Sequence, residues 1–380
     1  MVELALALLP VAAATGWYVA HKHYKNSTKH STLDHSTYFQ GLNHLINEQS
    51  DKAVDVFVNL LEIDSETIEV HLALGTLFRK RGEVEKAIRL HQNLMARPEL
   101  GHVVRLGVLN ELGMDYMHAG LLDRAESLFL ELEQHPEHRL NVTKQLLSIY
   151  QQEKEWLKAI NYARKLQSLD SPPQHVLLAH LHCELALMLI NSHDAKEAKS
   201  NLKKALKYDQ LCVRSNLINA EIELVNKKYK VALEYLMSIK QQNNNFVPVF
   251  LEMFILCFNQ LKKQNEKLQF LAIVESEINS DLLTNAFVLA LSEQKGNENA
   301  VVFLKNKLSE SPRLSDITKL SSMLVDKRGD LEIKTLSDAL NALYHQRLHF
   351  LCNRCGFDSE KLNWMCPSCK HWGTITPVNN

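Results

Sequence analysis

Glycine and proline are scarce in this 380-residue chain, at 12 and 9 residues, too few turn-formers for an architecture of many short strands and hairpins. Net charge is nearly absent as well: 43 Lys and Arg against 44 Asp and Glu leave a formal −1. A chain without a basic excess lacks the electrostatic footprint of sequence-independent phosphate binding, so nucleic acid is not expected as a partner. Catalytic signatures are missing too. The sequence holds no GxxxxGK[ST] phosphate loop, no HExxH, no GxSxG elbow and no Gly-rich dinucleotide turn, and we read the chain as not an enzyme. Nor is there an evenly spread disulfide framework. Cys183, Cys212 and Cys257 stand singly in apolar helical context while the other four cysteines cluster near the C-terminus, a distribution that fits a reducing compartment.

What is present is helix-forming sequence, rich in Leu, Lys, Glu, Ala and Gln, and it repeats. A Gly or Ala followed twelve residues later by Ala occurs as Gly41/Ala53, Gly75/Ala87, Gly113/Ala125, Ala186/Ala198 and Ala220/Ala232. Steps of 34 separate Ala53 from Ala87, Ala125 from Ala159, and Ala198 from Ala232, with intervening steps of 38 and 39. Thirty-four is the tetratricopeptide period. In "LALGTLFRKRGEVEKAIRLHQNLMARP" the small residues Gly75 and Ala87 are expected to let two antiparallel helices approach, with Gly82 at their turn. The expected fold is all-α: a superhelical tetratricopeptide solenoid over 35–240, continued by degenerate helical repeats over 241–348 and closed by a small metal knuckle over 349–380.

At the N-terminus "LALALLPVAAATGWYVA", Leu4 to Ala20, is 17 uncharged, mostly apolar residues followed by His21, Lys22, His23, Lys25 and Lys29. That is the short end of a membrane span, with positive charge after it rather than before it. We therefore expect a transmembrane anchor over 1–20 and a juxtamembrane linker over 21–34, with the bulk of the chain on the cytoplasmic side; cleavage after Ala14 and an amphipathic first helix are the other readings. Projecting the repeat register places Tyr38, Leu42, Leu45, Glu69, Leu72, Thr76, Arg79, Asn110, Met114, Met117, Arg214, Leu217 and Glu221 on the inward face of the first helices. Mixed apolar and charged groups there suit an extended peptide or a partner helix; packing against the neighbouring repeat is the alternative role. In "HVLLAHLHC", His175, His182 and Cys183 share a helical face and His180 lies apart, a spacing that ordinary repeat packing explains.

The strongest motif is "LCNRCGFDSEKLNWMCPSCKHW". Cys352-x2-Cys355 and Cys366-x2-Cys369, ten residues apart, converge as four thiolates in a tetrahedron suited to zinc or iron. Gly356 supplies a tight turn after the first pair and Pro367 stiffens the second. With no open coordination position apparent, such a site is structural or redox-active.

The order of parts, "LLPVAAATGWY", repeats beginning "DKAVDVF" and "RGEVEKAIRLHQNLM", and the terminal "CNRCGF…W.CPSC..W.TI.P", resembles the lipopolysaccharide assembly protein B family of Gram-negative bacteria over essentially the whole chain. The resemblance implies an inner-membrane adaptor that restrains lipopolysaccharide synthesis. It would do so by promoting proteolysis of the lipid A pathway UDP-acyl-N-acetylglucosamine deacetylase by the membrane-bound AAA+ zinc protease FtsH, and by coordinating lipopolysaccharide synthesis or transport proteins at the membrane. It further implies that the tail is a rubredoxin-like, iron-binding domain packed on the repeats, with Cys352, Cys355, Cys366 and Cys369 as ligands and Trp364 and Trp372 shielding the cluster. His44 stands where the family's first repeat has an aromatic. The competing reading is a metal- or redox-sensing scaffold whose four-thiolate site changes state.

Overall fold

The computed structural model describes residues 68–98, 100–169, 173–328, 331–343 and 349–378, with a few positions further N-terminal (15–18, 39–41, 43, 44, 49, 52 and 56). Among the described residues no helix is long and apolar enough to cross a membrane. The expected anchor over 1–20, apart from 15–18, and the expected lining residues Tyr38, Leu42 and Leu45 lie outside the described set.

The chain divides after Glu153 into two compact units. The first holds α1 (Ile68–Lys80), α2 (Val84–Met95), α3 (His102–His118), α4 (Leu122–Leu132) and α5 (Arg139–Gln152). The second begins with α6 (Trp156–Ser168), α7 (His175–Asn191), α8 (Ala195–Tyr208), α9 (Val213–Val225) and α10 (Tyr229–Gln242), then a 3-10 turn at Asn244–Phe246. It continues through α11 (Leu251–Gln260), α12 (Gln264–Glu277), α13 (Asp281–Lys295), α14 (Asn297–Glu310), α15 (Leu314–Arg328) and α16 (Leu331–Leu343) to a three-stranded sheet, β1 (His349–Cys352), β2 (Asp358–Ser359) and β3 (Ile375–Val378). Helical hairpins thus persist past residue 240, where the small-residue signal fades.

Five of the hairpin turns share one device. Residues at left-handed φ follow α1, α3, α7, α9 and α11: Gly82, Gly120, His193, Lys227 and Lys262. Each is followed by an amide that reaches back over the helix end, as in Glu83 N–H to Phe78 O at 2.8 Å and Lys228 N–H to Glu223 O at 2.8 Å, which satisfies otherwise orphaned carbonyls. Only the first two of these turns use glycine.

The small residues work through what they admit. A Cβ on Gly75 would stand 2.3 Å from Nε2 of His91, and one on Gly113 would stand 2.8 Å from the Phe129 ring. In both hairpins the ring belongs to the residue four positions after the buried alanine, Ala87 or Ala125. Where the first helix carries Ala186 or Ala220 instead, that position is Leu202 or Leu236, both fully buried. Glycine therefore pairs with an aromatic ring and alanine with leucine, keeping the volume between the helices level. Gly113→Ala is expected to destabilise the first unit by about 1–3 kcal/mol through overpacking; chemical denaturation should show much of the loss recovered when Phe129→Leu is added.

In the first unit a buried charge network crosses three helices. Arg79 of α1 donates to Glu111 at 2.6 Å and to Asp115 at 2.7 Å on α3, and His91 Nδ1 of α2 meets the other Asp115 oxygen at 2.5 Å. Burial pushes the Glu111 carboxyl up, but the Arg79 guanidinium outweighs it and holds the group below the usual range. Arg79 is thus committed to holding α1 on α3.

Candidate metal centre and its seat on the repeats

Two similar turns build the tail. The first spans Cys352 to Gly356, with Gly356 at φ +73° and its amide donating to Cys352 O at 3.0 Å. The second spans Cys366 to Lys370, with Lys370 at φ +59° and its amide donating to Cys366 O at 2.9 Å. Glycine advertises the first turn in the sequence, whereas lysine conceals the second. The sheet fixes the frame: β1 is central, antiparallel to both neighbours, in the order β2-β1-β3. Cys352 lies opposite Ile375, and Pro377 stands in the edge strand β3, where a missing N–H is tolerated and blunts further strand pairing.

These turns bring all four sulfurs within 4.8 Å of one another, with Cys352 and Cys369 3.8 Å apart and Cys355 and Cys366 3.7 Å apart. A tetrahedron with metal–sulfur bonds of about 2.3 Å has edges of about 3.8 Å, so the donor set fits one zinc or iron ion; bound there, it would cross-link the two turns. Protonation follows the local donors. The Thr374 hydroxyl, joined by backbone amides, lowers the Cys352 thiol to about 6. The Phe357 amide lowers Cys355. At Cys369 the His371 amide favours thiolate, but desolvation and the three neighbouring sulfurs prevail and push it up to about 11. Four thiolates cannot share this volume without a cation to balance them, and metal binding must release protons.

The apolar cover of the cysteines comes from Phe350 and Ile375, with Phe357, Leu362 and Val249 against them. The two tryptophans are spent on the repeats. Trp372 stacks on His180 of α7 with ring centroids 5.4 Å apart, and Trp364 lies 6.0 Å from His180 and stacks on Phe246 at 6.0 Å. Between them sits Arg214 of α9, its guanidinium 5.8 Å from the Trp364 ring and 5.7 Å from the Trp372 ring. Glu184 accepts from Arg214 at 2.8 Å, while the buried Arg214 Nη1 finds no hydrogen-bond partner and is left to the ring faces. Gly373, at φ +65°, lies so close that a Cβ there would meet His180 Nε2 at 2.9 Å. The tail is seated on the first-helix face of α7 and α9.

Of the expected lining residues, Arg214 is therefore part of this seat, Leu217 is buried and Glu221 is exposed. In the first unit Glu69 is exposed, Leu72, Met114 and Met117 are half-buried, and Asn110 is half-buried and accepts from Asn141 at 3.1 Å. His182 contacts Asn201 at 3.0 Å and stacks on Tyr208. His180, which the helical wheel sets apart from its neighbours, makes the contact with the tail.

Burial, then the Arg214 charge, pushes His180 down to about 3. Undocking returns water to the ring and relieves the desolvation, so an undocked chain takes up that proton at a higher pH than the docked one, which does not until about 3. Docking is therefore fully stabilised above pH 6.5 and is lost as pH falls toward 3, by up to about 1.4 kcal/mol per unit. Proteolysis of the tail at stepped pH, with metal content measured at each step because Cys352 titrates in the same window, should show this dependence, and His180→Phe should flatten it.

Comparison with known proteins agrees with both parts. A rubredoxin metal binding domain family matches residues 350–377, and a tetratricopeptide repeat family matches residues 70–101. Lipopolysaccharide assembly protein B of Escherichia coli K12 is 37% identical over 386 residues, covering all of this chain and 98% of that protein. The protein of the same name from Haemophilus influenzae is 34% identical over 393 residues, covering all of this chain and 99% of its own length. With kinship spanning the repeats and the four-cysteine tail alike, the chain belongs to the lipopolysaccharide assembly protein B family.

Proposed function

We propose that the chain is a non-enzymatic adaptor of the inner membrane, anchored by residues 1–20 with its bulk in the cytoplasm, that restrains lipopolysaccharide synthesis. It would bring the lipid A pathway deacetylase to the membrane-bound protease FtsH for degradation, and coordinate other lipopolysaccharide assembly proteins. The observation that carries this reading is full-length kinship with relatives named for lipopolysaccharide assembly. Repeats and a four-thiolate tail contribute binding geometry. Confinement to the membrane raises the local concentration of substrate and protease without new contacts.

Partner contacts fall to Glu69, Leu72, Asn110, Met114 and Met117, with Tyr38 and Leu42 as further candidates and Arg79 holding α1 on α3. The two methionines offer an adaptable apolar surface. Iron or zinc at Cys352, Cys355, Cys366 and Cys369 keeps the tail folded. In cells, the deacetylase half-life is expected to be short with the intact chain and several-fold longer with a Leu72→Arg/Met114→Arg variant that retains its anchor and expression level. An unchanged half-life in cells lacking the chain would overturn the reading.

A further inference from the structure

Beneath the tail's seat lies a pair of thiols that the metal centre does not use. Cys183 of α7 and Cys212, the residue preceding α9, are both buried, with their sulfurs 3.9 Å apart. Among the described residues no other cysteines outside the knuckle are in sulfur contact. The surrounding seam is built largely of alanines, Ala179, Ala186, Ala198 and Ala205, which crowd the sulfurs less than leucines would. We propose that Cys183 and Cys212 form a reversible dithiol–disulfide site, oxidised by hydroperoxide, whose closure loosens the tail from its seat.

The two sulfurs are not equivalent. Cys212 is lowered by its hydrogen bond with Cys183 and, against desolvation, by the Ser215 amide at the start of α9, whereas Cys183 is raised. Cys212 is therefore the nucleophile. It is also the less completely buried of the two, 3% exposed against 0% for Cys183, and directly follows the exposed Leu211. Its thiolate attacks one peroxide oxygen: the S–O bond forms, the O–O bond breaks, and the departing hydroxide takes up the proton given up by Cys212. Cys183 then attacks the sulfenic sulfur; the S–S bond forms, the S–O bond breaks, and hydroxide leaves with the Cys183 proton as water. Two thiols lose two electrons and hydrogen peroxide becomes two waters. A small dithiol reverses the reaction by exchange.

Closure brings the sulfurs from 3.9 Å to about 2.0 Å, and the movement is shared by side-chain rotation and by α7 and the start of α9. Cys183 follows His180 by one helical turn, and Cys212 precedes Arg214 by two residues. Those two side chains hold Trp372 and, together with Phe246, Trp364. Pulling their backbones together shifts the slot in which the rings sit.

The test uses the full, metal-loaded chain. It is titrated with hydrogen peroxide, its remaining thiols are alkylated, and disulfide-linked peptides are mapped while tail proteolysis and bound metal are followed. The expected result is a Cys183–Cys212 linked peptide, reversed by dithiothreitol, that appears before metal is lost and accompanies a several-fold rise in tail cleavage. Absence of that peptide at doses that already eject the metal overturns the site. Its formation with tail protection unchanged overturns the coupling. A Cys183→Ala/Cys212→Ala variant, checked for native helix content, should keep its tail protected at the same peroxide dose; equal loosening there would trace the effect to oxidation of the knuckle and overturn the proposal. Should that variant misfold, the peptide map and metal content of the unaltered chain still decide.

Discussion

Cys355→Ser is expected to empty the metal site and unfold the tail while leaving the helices intact. Its sulfur is paired with Cys366 at 3.7 Å in a cluster where all four sulfurs lie within 4.8 Å. A serine hydroxyl cannot replace a thiolate toward zinc or iron, so three ligands remain. Outer-shell changes at such sites already cost about 10–100-fold in affinity, and loss of a ligand should exceed that. The tail has little else to hold it: apart from the cysteines its buried apolar residues are Phe350, Ile375 and Pro377. Metal binding and folding are then one event, and in small metal-built domains it is worth about 10–16 kcal/mol. Metal analysis should fall from one ion per chain to near none, and limited proteolysis should cut within 349–378. The helical circular dichroism signal should hardly change, because α1 to α16 all lie outside the tail. A variant that loses metal but keeps a protected tail would contradict this.

Trp364→Ala separates docking from metal binding. The ring is half-buried, stacked on Phe246 and facing Arg214, and it packs with the large core cluster of the second unit. Full burial of a Trp is worth about 3–5 kcal/mol against Ala; for a half-buried ring we expect about 2–4 kcal/mol. A shift of about 3 kcal/mol changes the docked-to-undocked ratio by more than 100-fold. None of the four ligands is touched, so metal should stay bound while the tail becomes mobile, visible as fast hydrogen exchange along α7 and α9 around His180 and Arg214. Arg214→Lys is expected to go part of the way, since an ammonium lacks the planar face that lies between two indoles. Retained metal with lost protection would set this variant apart from Cys355→Ser; unchanged protection would show that the tryptophans do not hold the tail.

The metal ligands and their seat on the repeats were unequally visible in the chain. Cysteine spacing identified the four ligands because a two-residue gap with a tight turn leaves little freedom in where the sulfurs point. The 34-residue step identified the hairpins up to about 240 because Gly75 and Gly113 admit rings while Ala186 and Ala220 meet leucines. Beyond that point Cys257 and Val288 occupy buried first-helix positions, and although Ala300 keeps the second-helix alanine twelve residues after Val288, the paired small-residue signal fades while hairpins continue. Turn signals faded for a related reason: Lys227, Lys262 and Lys370 adopt the left-handed conformation that glycine would have announced. The tail's seat was the least legible part. His180 and Arg214 face the tryptophans across nearly two hundred and one hundred and fifty residues of sequence respectively, and no local period encodes a contact at that range. The register placed Arg214 on the first-helix face, where the tail covers it.

Metal titration into the apo form of the full chain, followed by hydrogen exchange, tests most directly the claim that the four-thiolate site exists to hold the tail on the repeats. Protection within 349–378 and protection around His180 and Arg214 should rise together, saturating at one ion per chain. A metal-free chain already protected at both places, or a tail that folds on metal while α7 and α9 stay unprotected, would contradict it.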